Sequence, residues 1–283
     1  MIGVFDSGVG GLSVLRHVRA ALPAEDLMYF SDAGFAPYGD KPEAVIVERA
    51  LAIAAYLRQA GATALVVACN TATAAAIEAI RTLYPSLVTV GVEPGLKPAA
   101  ALSAARTIGV LATAATLASR RFAQLHAEIA AASRVRFLLQ PCPGLAGQVE
   151  KGALDAGATV RLVERFVHPL LAQGADTLVL GCTHYPFVQP LIATAALQYR
   201  VAAGLAPSPA VQLVDTGVAV ARQLGAVLRQ NGAEHSPGVP GRLTAVTTGS
   251  CSTLAQAFQR LLSLDVPVAD VRLAGPVAVP LSR

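Results

Sequence analysis

Apolar residues follow two alternating patterns along this chain. Short continuous runs of Val, Leu and Ile are separated by longer stretches in which apolar residues recur at helical spacing. Continuous apolar runs between helices are typical of parallel strands covered on both faces. The first third of the chain predicts strands and helices in turn at residues 1–5, 11–21, 27–31, 42–60, 64–68 and 71–83. We therefore expect an α/β fold.

The alternation then starts again. The segment IGVF at residues 2–5 resembles IGVL at 108–111, and LVVACNTAT resembles LVLGCTHYP, whose cysteine lies 113 positions later. We interpret this as an internal duplication that gives two similar lobes, each with a mostly parallel sheet flanked by helices and with the active site in the cleft between them. The second series predicts elements at 107–111, 116–132, 135–139, 157–173, 177–180 and 186–197.

The last third of the chain is expected to return to the first lobe. A segment rich in Ala, Gly and Pro through residue 208 indicates a crossover, and residues 231–241 indicate a surface loop. Further elements are predicted at 211–214, 218–230, 243–247 and 252–262. The expected first lobe is thus discontinuous, with residues 1–94 and 205–283, and the second lobe has residues 95–204.

Composition narrows the class of protein. With 283 residues, 54% hydrophobic and 14% charged, the chain can bury a large core. Its apolar stretches are too short for a membrane span and its first residues do not resemble a leader, so we expect a cytoplasmic protein without a membrane partner. The net charge is +4, the lysines and arginines are scattered along the chain, and aromatic residues make up only 5%. This favours an anionic small molecule over nucleic acid.

Two cysteines carry the chemistry. Cys69 and Cys182 each lie where a predicted strand gives way to a helix, the edge at which parallel sheets bind ligands. A helix N-terminus can lower the pKa of a thiol from about 8.5. A single cysteine is usually a small buried hydrophobe, but two at matched positions indicate a reactive pair. His184 could exchange a proton with Cys182, and Asp6 could do so with Cys69 or simply cap a helix.

A pair of thiols suits proton transfer at a tetrahedral carbon. One group removes a proton from one face and the other delivers a proton to the opposite face, which is racemisation or epimerisation. No C-x-x-C or paired-histidine spacing predicts a metal site, and Lys41, Lys97 and Lys151 do not lie at strand ends where pyridoxal would need one. We therefore expect no cofactor and no metal.

Several motifs in the right order resemble the glutamate racemases of the aspartate/glutamate racemase superfamily. They are IGVFDSGVGGLSVLR, YFSDAGFAPYGDK, VVACNTATA, GVEPGLKPA, VLATAAT, CPGL with VEKG, LVLGCTHYPF and TTGS. His184 occupies a position where aspartate and hydantoin racemases usually carry Glu. The segments Ser31-Asp32-Ala33 and Phe35-Ala36 depart from the usual pattern beside the substrate region.

The resemblance implies a cofactor-independent two-base mechanism. Cys69 would take the α-proton from D-glutamate and Cys182 from L-glutamate, with Asp6 and His184 assisting and with Asp32 and Glu150 as further assisting acids. It also implies D-glutamate supply for peptidoglycan and is compatible with a homodimer. The implied substrate-binding residues are Asp6, Ser7, Tyr38, Gly39, Asn70, Thr71, Thr183 and His184.

Other functions stay open at this point. The nearest alternative is a racemase of the same superfamily that acts on aspartate or a related amino acid. A decarboxylase or isomerase would need only one competent thiol. A non-catalytic two-lobed protein would bind an amino acid without exchanging its α-hydrogen.

Overall fold

The computed structural model describes residues 1–206, 209–232 and 238–273, and the chain divides into two compact units. The first unit contains Met1–Val92 and the described residues from Gly217 onward, and the second contains Glu93–Thr216. Parts of the predicted crossover, of the predicted loop at 231–241 and of the end of the first lobe lie outside the described residues.

Both units are built on parallel sheets, as the apolar runs predict. The described strands are β1 (Ile2–Asp6), β2 (Leu27–Ser31), β3 (Ala64–Val67), β4 (Val88–Gly91), β5 (Thr107–Ala112), β6 (Arg136–Pro141), β7 (Thr177–Gly181), β8 (Gln212–Val214), β9 (Leu243–Thr247) and β10 (Val268–Asp270). The sheet of the first unit has the order β10-β9-β2-β1-β3-β4, and that of the second has the order β6-β5-β7-β8. Every neighbouring pair is parallel, which confirms the α/β class.

Helices connect the strands. They are α1 (Leu12–Ala21), α2 (Glu43–Gln59), α3 (Asn70–Leu83), α4 (Leu96–Leu102), α5 (Ala114–Ala118), α6 (Arg120–Ser133), α7 (Leu145–Glu150), α8 (Gly157–Ala172), α9 (Gln189–Ala202), α10 (Gly217–Gln230) and α11 (Cys251–Leu262). Within the described ranges, every helix is too short or too polar to cross a lipid bilayer.

The two sheets share the order second, first, third and fourth strand, since β2-β1-β3-β4 matches β6-β5-β7-β8. Their packing matches too. A Cβ on Gly3 in β1 would lie 3.0 Å from Leu57, and one on Gly109 in β5 would lie 2.6 Å from Leu170. Leu170 follows Leu57 by 113 positions, the same offset that separates the two cysteines. This correspondence supports the interpretation of an internal duplication.

The segment after residue 204 differs from the expectation. Strand β8 pairs with β7 in parallel, with Gln212 opposite Thr177, so it completes the second sheet rather than the first. The return to the first unit occurs at Gly217, where α10 begins. The predicted boundary was therefore early, because a three-residue strand carries too little pattern to show which sheet it joins.

Two predicted helices are interrupted. The helix expected at 116–132 is α5 followed by α6, because Ser119 has an extended backbone and its hydroxyl accepts a hydrogen bond from the Phe122 N–H at 3.1 Å. The helix expected from residue 186 starts at Gln189, after a 3₁₀ turn at Tyr185–Val188. Strands β4 and β10 and the short helices α4 and α7 were not predicted.

Candidate active site

The first candidate thiol begins helix α3. Cys69 is the N-cap residue, with an extended backbone at φ −76° and ψ 122°, and its Sγ accepts a hydrogen bond from the Ala72 N–H at 3.4 Å. A backbone donor at a helix N-terminus favours the thiolate over the thiol. Cys69 is 5% exposed, and its Sγ lies 3.7 Å from the Ser7 Oγ. The loop after β1 thus contacts this thiol through Ser7, and the proton exchange between Cys69 and Asp6 stays a prediction.

The loop after β1 is held rigidly. Asp6 is fully buried at the end of β1, and its Oδ2 accepts a hydrogen bond from the Gly8 N–H at 3.0 Å. The Tyr29 hydroxyl donates to the Gly8 carbonyl oxygen at 2.7 Å. A Cβ on Gly11 would lie 2.6 Å from the Asp6 Cβ, so glycine is needed there. Asp6 therefore shapes this loop and does not act as the N-cap of α1, which is Gly11.

The first two residues of α3 supply polar groups beside the thiol. Asn70 and Thr71 are each 5% exposed. The Asn70 Nδ2 is buried and has no hydrogen-bond partner among the residues that the structure describes. An unpaired buried donor costs roughly 1–3 kcal/mol, so this amide is suited to a ligand acceptor. Its position supports the predicted binding role of Asn70.

The second candidate thiol has a different local setting. Cys182 follows β7 directly, but the chain then forms Thr183, His184 and a 3₁₀ turn before α9 begins. The Cys182 carbonyl accepts the Tyr185 N–H at 3.0 Å, and its Sγ lies 3.5 Å from the His184 Nδ1. Cys182 is 6% exposed. The thiol therefore pairs with an imidazole, as the sequence predicts for His184, rather than with the start of a long helix.

His184 connects Cys182 to a carboxylate. Its Nε2 lies 2.6 Å from the Oε1 of Glu150, the last residue of α7. Burial acts to lower the pKa of His184, but the Cys182 sulfur and then Glu150 outweigh it and hold that pKa well above its usual value. The two groups on either side of the imidazole can carry negative charge and therefore favour its protonated form. The expected proximity of Glu150 to this site is present.

Two further groups surround the second thiol. Tyr185 is fully buried, and within the described part of the chain its hydroxyl has no partner with hydrogen-bond geometry. Burial raises its pKa, and the nearby sulfurs of Cys182 and Cys142 raise it further. Cys142 is also buried, and burial raises the pKa of its thiol. Nothing in the sequence connected Tyr185 to Cys182.

The predicted acid Asp32 is engaged elsewhere. Its Oδ2 accepts a hydrogen bond from the Tyr38 hydroxyl at 2.6 Å, and Arg49 binds both of its carboxylate oxygens, at 3.0 and 2.6 Å. A carboxylate held by a guanidinium is an anchor rather than a proton donor. Asp32 thus supports Tyr38, and Arg49 is a site residue that sequence reasoning missed, because helix α2 carries no motif that marks it.

Among the described residues, no group of three or more His, Cys, Asp or Glu side chains is arranged to hold a metal ion. The four cysteines, all within the described residues, form no disulfide bond. The groups placed at the two strand ends are thiols, one imidazole and buried hydrogen-bond donors.

Comparison with known proteins agrees with this chemistry. Residues 2–224 match the family model for Asp/Glu/hydantoin racemases. The chain belongs to this family. Within it, the glutamate racemase of Ectopseudomonas mendocina (strain ymp) is 53% identical over 230 residues, which cover 81% of this chain and 82% of that protein.

Solved structures of the racemase family share the fold. Glutamate racemase isoform RacE1 from Bacillus anthracis superimposes with a TM-score of 0.84 at 30% identity, over 96% of this chain and 97% of that one. The glutamate racemase of Escherichia coli, solved with L-glutamate and the activator UDP-MurNAc-ala, gives a TM-score of 0.81 at 29% identity, over 97% of this chain and 98% of that one.

Proposed function

We propose that this protein interconverts L- and D-glutamate by proton transfer at the α-carbon between two thiols, without a cofactor. The observation that carries this is the placement of Cys69 and Cys182 after equivalent strands of two matching sheets, each with its own group that stabilises a thiolate. The identity of 53% to a glutamate racemase supports glutamate over other amino acids.

The proposed step from L-glutamate starts with Cys182 as thiolate and Cys69 as thiol. Cys182 removes the α-proton from one face, the electron pair stays on carbon and carboxylate as a carbanion, and Cys69 delivers its proton to the opposite face. The product is D-glutamate, with Cys182 now a thiol and Cys69 a thiolate. The reverse reaction starts from these protonation states and uses the same two cysteines, so no other acid or base is consumed.

Stabilising the carbanion is the harder part of the reaction, because an α-proton is a far weaker acid than a thiol. Fixed donors aimed at the substrate carboxylate lower this barrier more than mobile water does. The unpaired Asn70 amide and the rigid loop that begins at Asp6 are suited to that role. We infer that Ser7, Tyr38, Gly39, Thr71 and Thr183 complete the binding surface.

The cellular role follows from the product. We infer that the protein works in the cytoplasm, where it supplies D-glutamate to the enzymes that build peptidoglycan. A homodimer is compatible with this role.

Isotope exchange tests the proposal. In deuterated water, L- and D-glutamate should each lose their circular dichroism completely, and proton NMR should show loss of the α-hydrogen. L-aspartate under the same conditions should react much more slowly. Faster turnover of aspartate than of glutamate would favour an aspartate racemase of the same superfamily. Binding of glutamate without α-hydrogen exchange would favour a non-catalytic amino-acid-binding protein.

A further inference from the structure

A buried polar cluster lies beside the predicted substrate loop of the first unit. At its centre, Asp32 is fully buried at the carboxyl end of β2. Its Oδ1 accepts hydrogen bonds from the Arg49 Nη2 at 2.6 Å and from the Thr248 Oγ1 at 2.7 Å. Its Oδ2 accepts from the Tyr38 hydroxyl at 2.6 Å and from the Arg49 Nε at 3.0 Å. Three separate segments of chain therefore meet on one carboxylate.

Arg49 is the positively charged partner that stabilises the buried Asp32 carboxylate. Its side chain is 15% exposed, and its Cζ lies 3.6 Å from the centroid of the Phe35 ring. Burial acts to lower the pKa of Arg49, but the hydrogen bonds and charge of Asp32 outweigh it and raise that pKa. A paired guanidinium that stacks on an aromatic face has little freedom to move. Arg49 thus fixes Asp32 from helix α2.

Two loops are locked together at the same point. The Gly34 N–H donates to the Thr248 Oγ1 at 3.1 Å, and a Cβ on Gly34 would lie 2.6 Å from the Thr248 carbonyl oxygen. A Cβ on Gly249 would lie 2.9 Å from the Ala33 Cβ. The backbones after β2 and β9 are therefore in direct contact. Thr248 and Gly249 belong to the TTGS segment, so this contact gives that segment a structural role.

The cluster also controls Tyr38. The Tyr38 side chain is 1% exposed and packs in the same hydrophobic core as Cys69. Burial, then Asp32 and then Cys69, raises the pKa of Tyr38, so its hydroxyl keeps the proton it donates to Asp32. The direction of this hydroxyl and the backbone of the Tyr38–Asp40 turn are thus set by a carboxylate that Arg49 holds.

We propose that Arg49 is a positioning residue for substrate binding: through Asp32 it holds the Tyr38–Gly39 segment in the conformation that receives glutamate. This rests on the proposed function, because Tyr38 and Gly39 are substrate-binding residues only there. Arg49 itself does not touch the reacting atoms. Its loss should weaken binding of glutamate more than it slows the proton transfers.

Steady-state kinetics of Arg49→Met, Arg49→Lys and Thr248→Val test this. Arg49→Met should raise KM for both enantiomers about tenfold or more, because it strips two charge-assisted hydrogen bonds from Asp32, whereas kcat per folded molecule should change less. Arg49→Lys keeps the charge and should recover part of the loss. Thr248→Val should raise KM by a smaller factor.

Arg81→Met is the matched control. Arg81 pairs with Glu78 on the exposed face of α3, with side chains 44% and 68% exposed, and KM should not move. A double-mutant cycle between Arg49 and Thr248 should be non-additive in KM, since both residues act on Asp32.

A purely structural role predicts another result. The proposal would be overturned if KM stayed within about twofold of wild type in Arg49→Lys and Thr248→Val while activity was lost only in proportion to the folded fraction. If Arg49→Met does not fold, these two variants decide. A wild-type protein that exchanges no α-hydrogen of glutamate would instead refute the proposed function, so the two failures are distinguishable.

Discussion

Cys69 and Cys182 occupy equivalent positions after β3 and β7, yet their surroundings differ in kind. Cys69 caps a 14-residue helix, and a backbone N–H points at its sulfur. Cys182 is followed by a 3₁₀ turn, and an imidazole linked to a carboxylate faces its sulfur. The duplicated fold thus supplies the placement, and different chemistry supplies the stabilisation of each thiolate.

This difference has a consequence for pH. A backbone dipole does not titrate, so the stabilisation that the Ala72 N–H gives a Cys69 thiolate does not change with pH. The stabilisation of a Cys182 thiolate requires that His184 carry its proton. Because the pKa of His184 is raised, that proton is held below the raised pKa and lost as pH increases through it. Loss of the His184 proton should therefore contribute to the alkaline limit of activity.

The largest expected effect is loss of either thiol. Cys69→Ala and Cys182→Ala should each reduce racemisation about 10⁴-fold or more in both directions, because each removes one of two indispensable acid–base groups. Polarimetry or circular dichroism with both enantiomers measures this. Cys251→Ala, at the start of α11, is the control and should keep wild-type turnover. Near-normal turnover in either active-site variant would reject the two-thiol mechanism.

The next effect should come from His184. His184→Asn keeps a neutral donor near Cys182 but removes the positive charge, so kcat/KM should fall roughly 10²- to 10⁴-fold. The fall must be equal in both directions, since enantiomers have equal free energy. α-Deuterated substrates therefore show which of the two thiols is impaired. The isotope effect on kcat/KM should grow more for L-glutamate, whose proton Cys182 removes.

His126→Asn on α6 controls for the loss of an imidazole elsewhere, and its kinetics should match those of wild type. A larger isotope effect with D-glutamate than with L-glutamate would contradict the assignment of His184 to Cys182.

A smaller effect is expected at Glu150. Glu150→Gln keeps a hydrogen-bond acceptor for the His184 Nε2 but removes the negative charge that helps to raise the pKa of His184. The alkaline limb of the kcat/KM profile should move to lower pH by about one unit, with a loss of about tenfold or less at neutral pH. Glu78→Gln, on the exposed face of α3, should leave the profile unchanged. A shift of the limb to higher pH would contradict the assignment.

The sequence predicted the fold well where burial is continuous. Strand β7 is buried at all five positions and extends the predicted run at residues 177–180 by one residue, because a strand covered on both faces leaves a continuous apolar run. Strands β2 and β9 have the predicted bounds as well. The 3₁₀ turn after His184 was missed, since Pro186 suggested that the helix starts there. The break at Ser119 was missed because the apolar pattern continues across it.

The candidate site was predictable where chemistry lies next to the strand ends, as for Cys69, Cys182 and His184. It was not predictable where contacts join distant segments. Arg49 and Thr248 reach Asp32 from 17 and 216 positions away, and only the folded chain brings them together. Asp32 was therefore predicted as an acid, whereas its partners make it an anchor.

The smallest expected effect belongs to Tyr185. Its raised pKa keeps the hydroxyl protonated, and its nearness to the Cys182 sulfur lets it donate to a thiolate that forms there. Tyr185→Phe keeps the ring packing and should lower kcat/KM only a few-fold, with a larger isotope effect for L-glutamate than for D-glutamate. Tyr199→Phe, on α9, should change neither value. An unchanged isotope effect for L-glutamate in Tyr185→Phe would show that this hydroxyl does not act on Cys182, and would leave His184 to stabilise that thiolate.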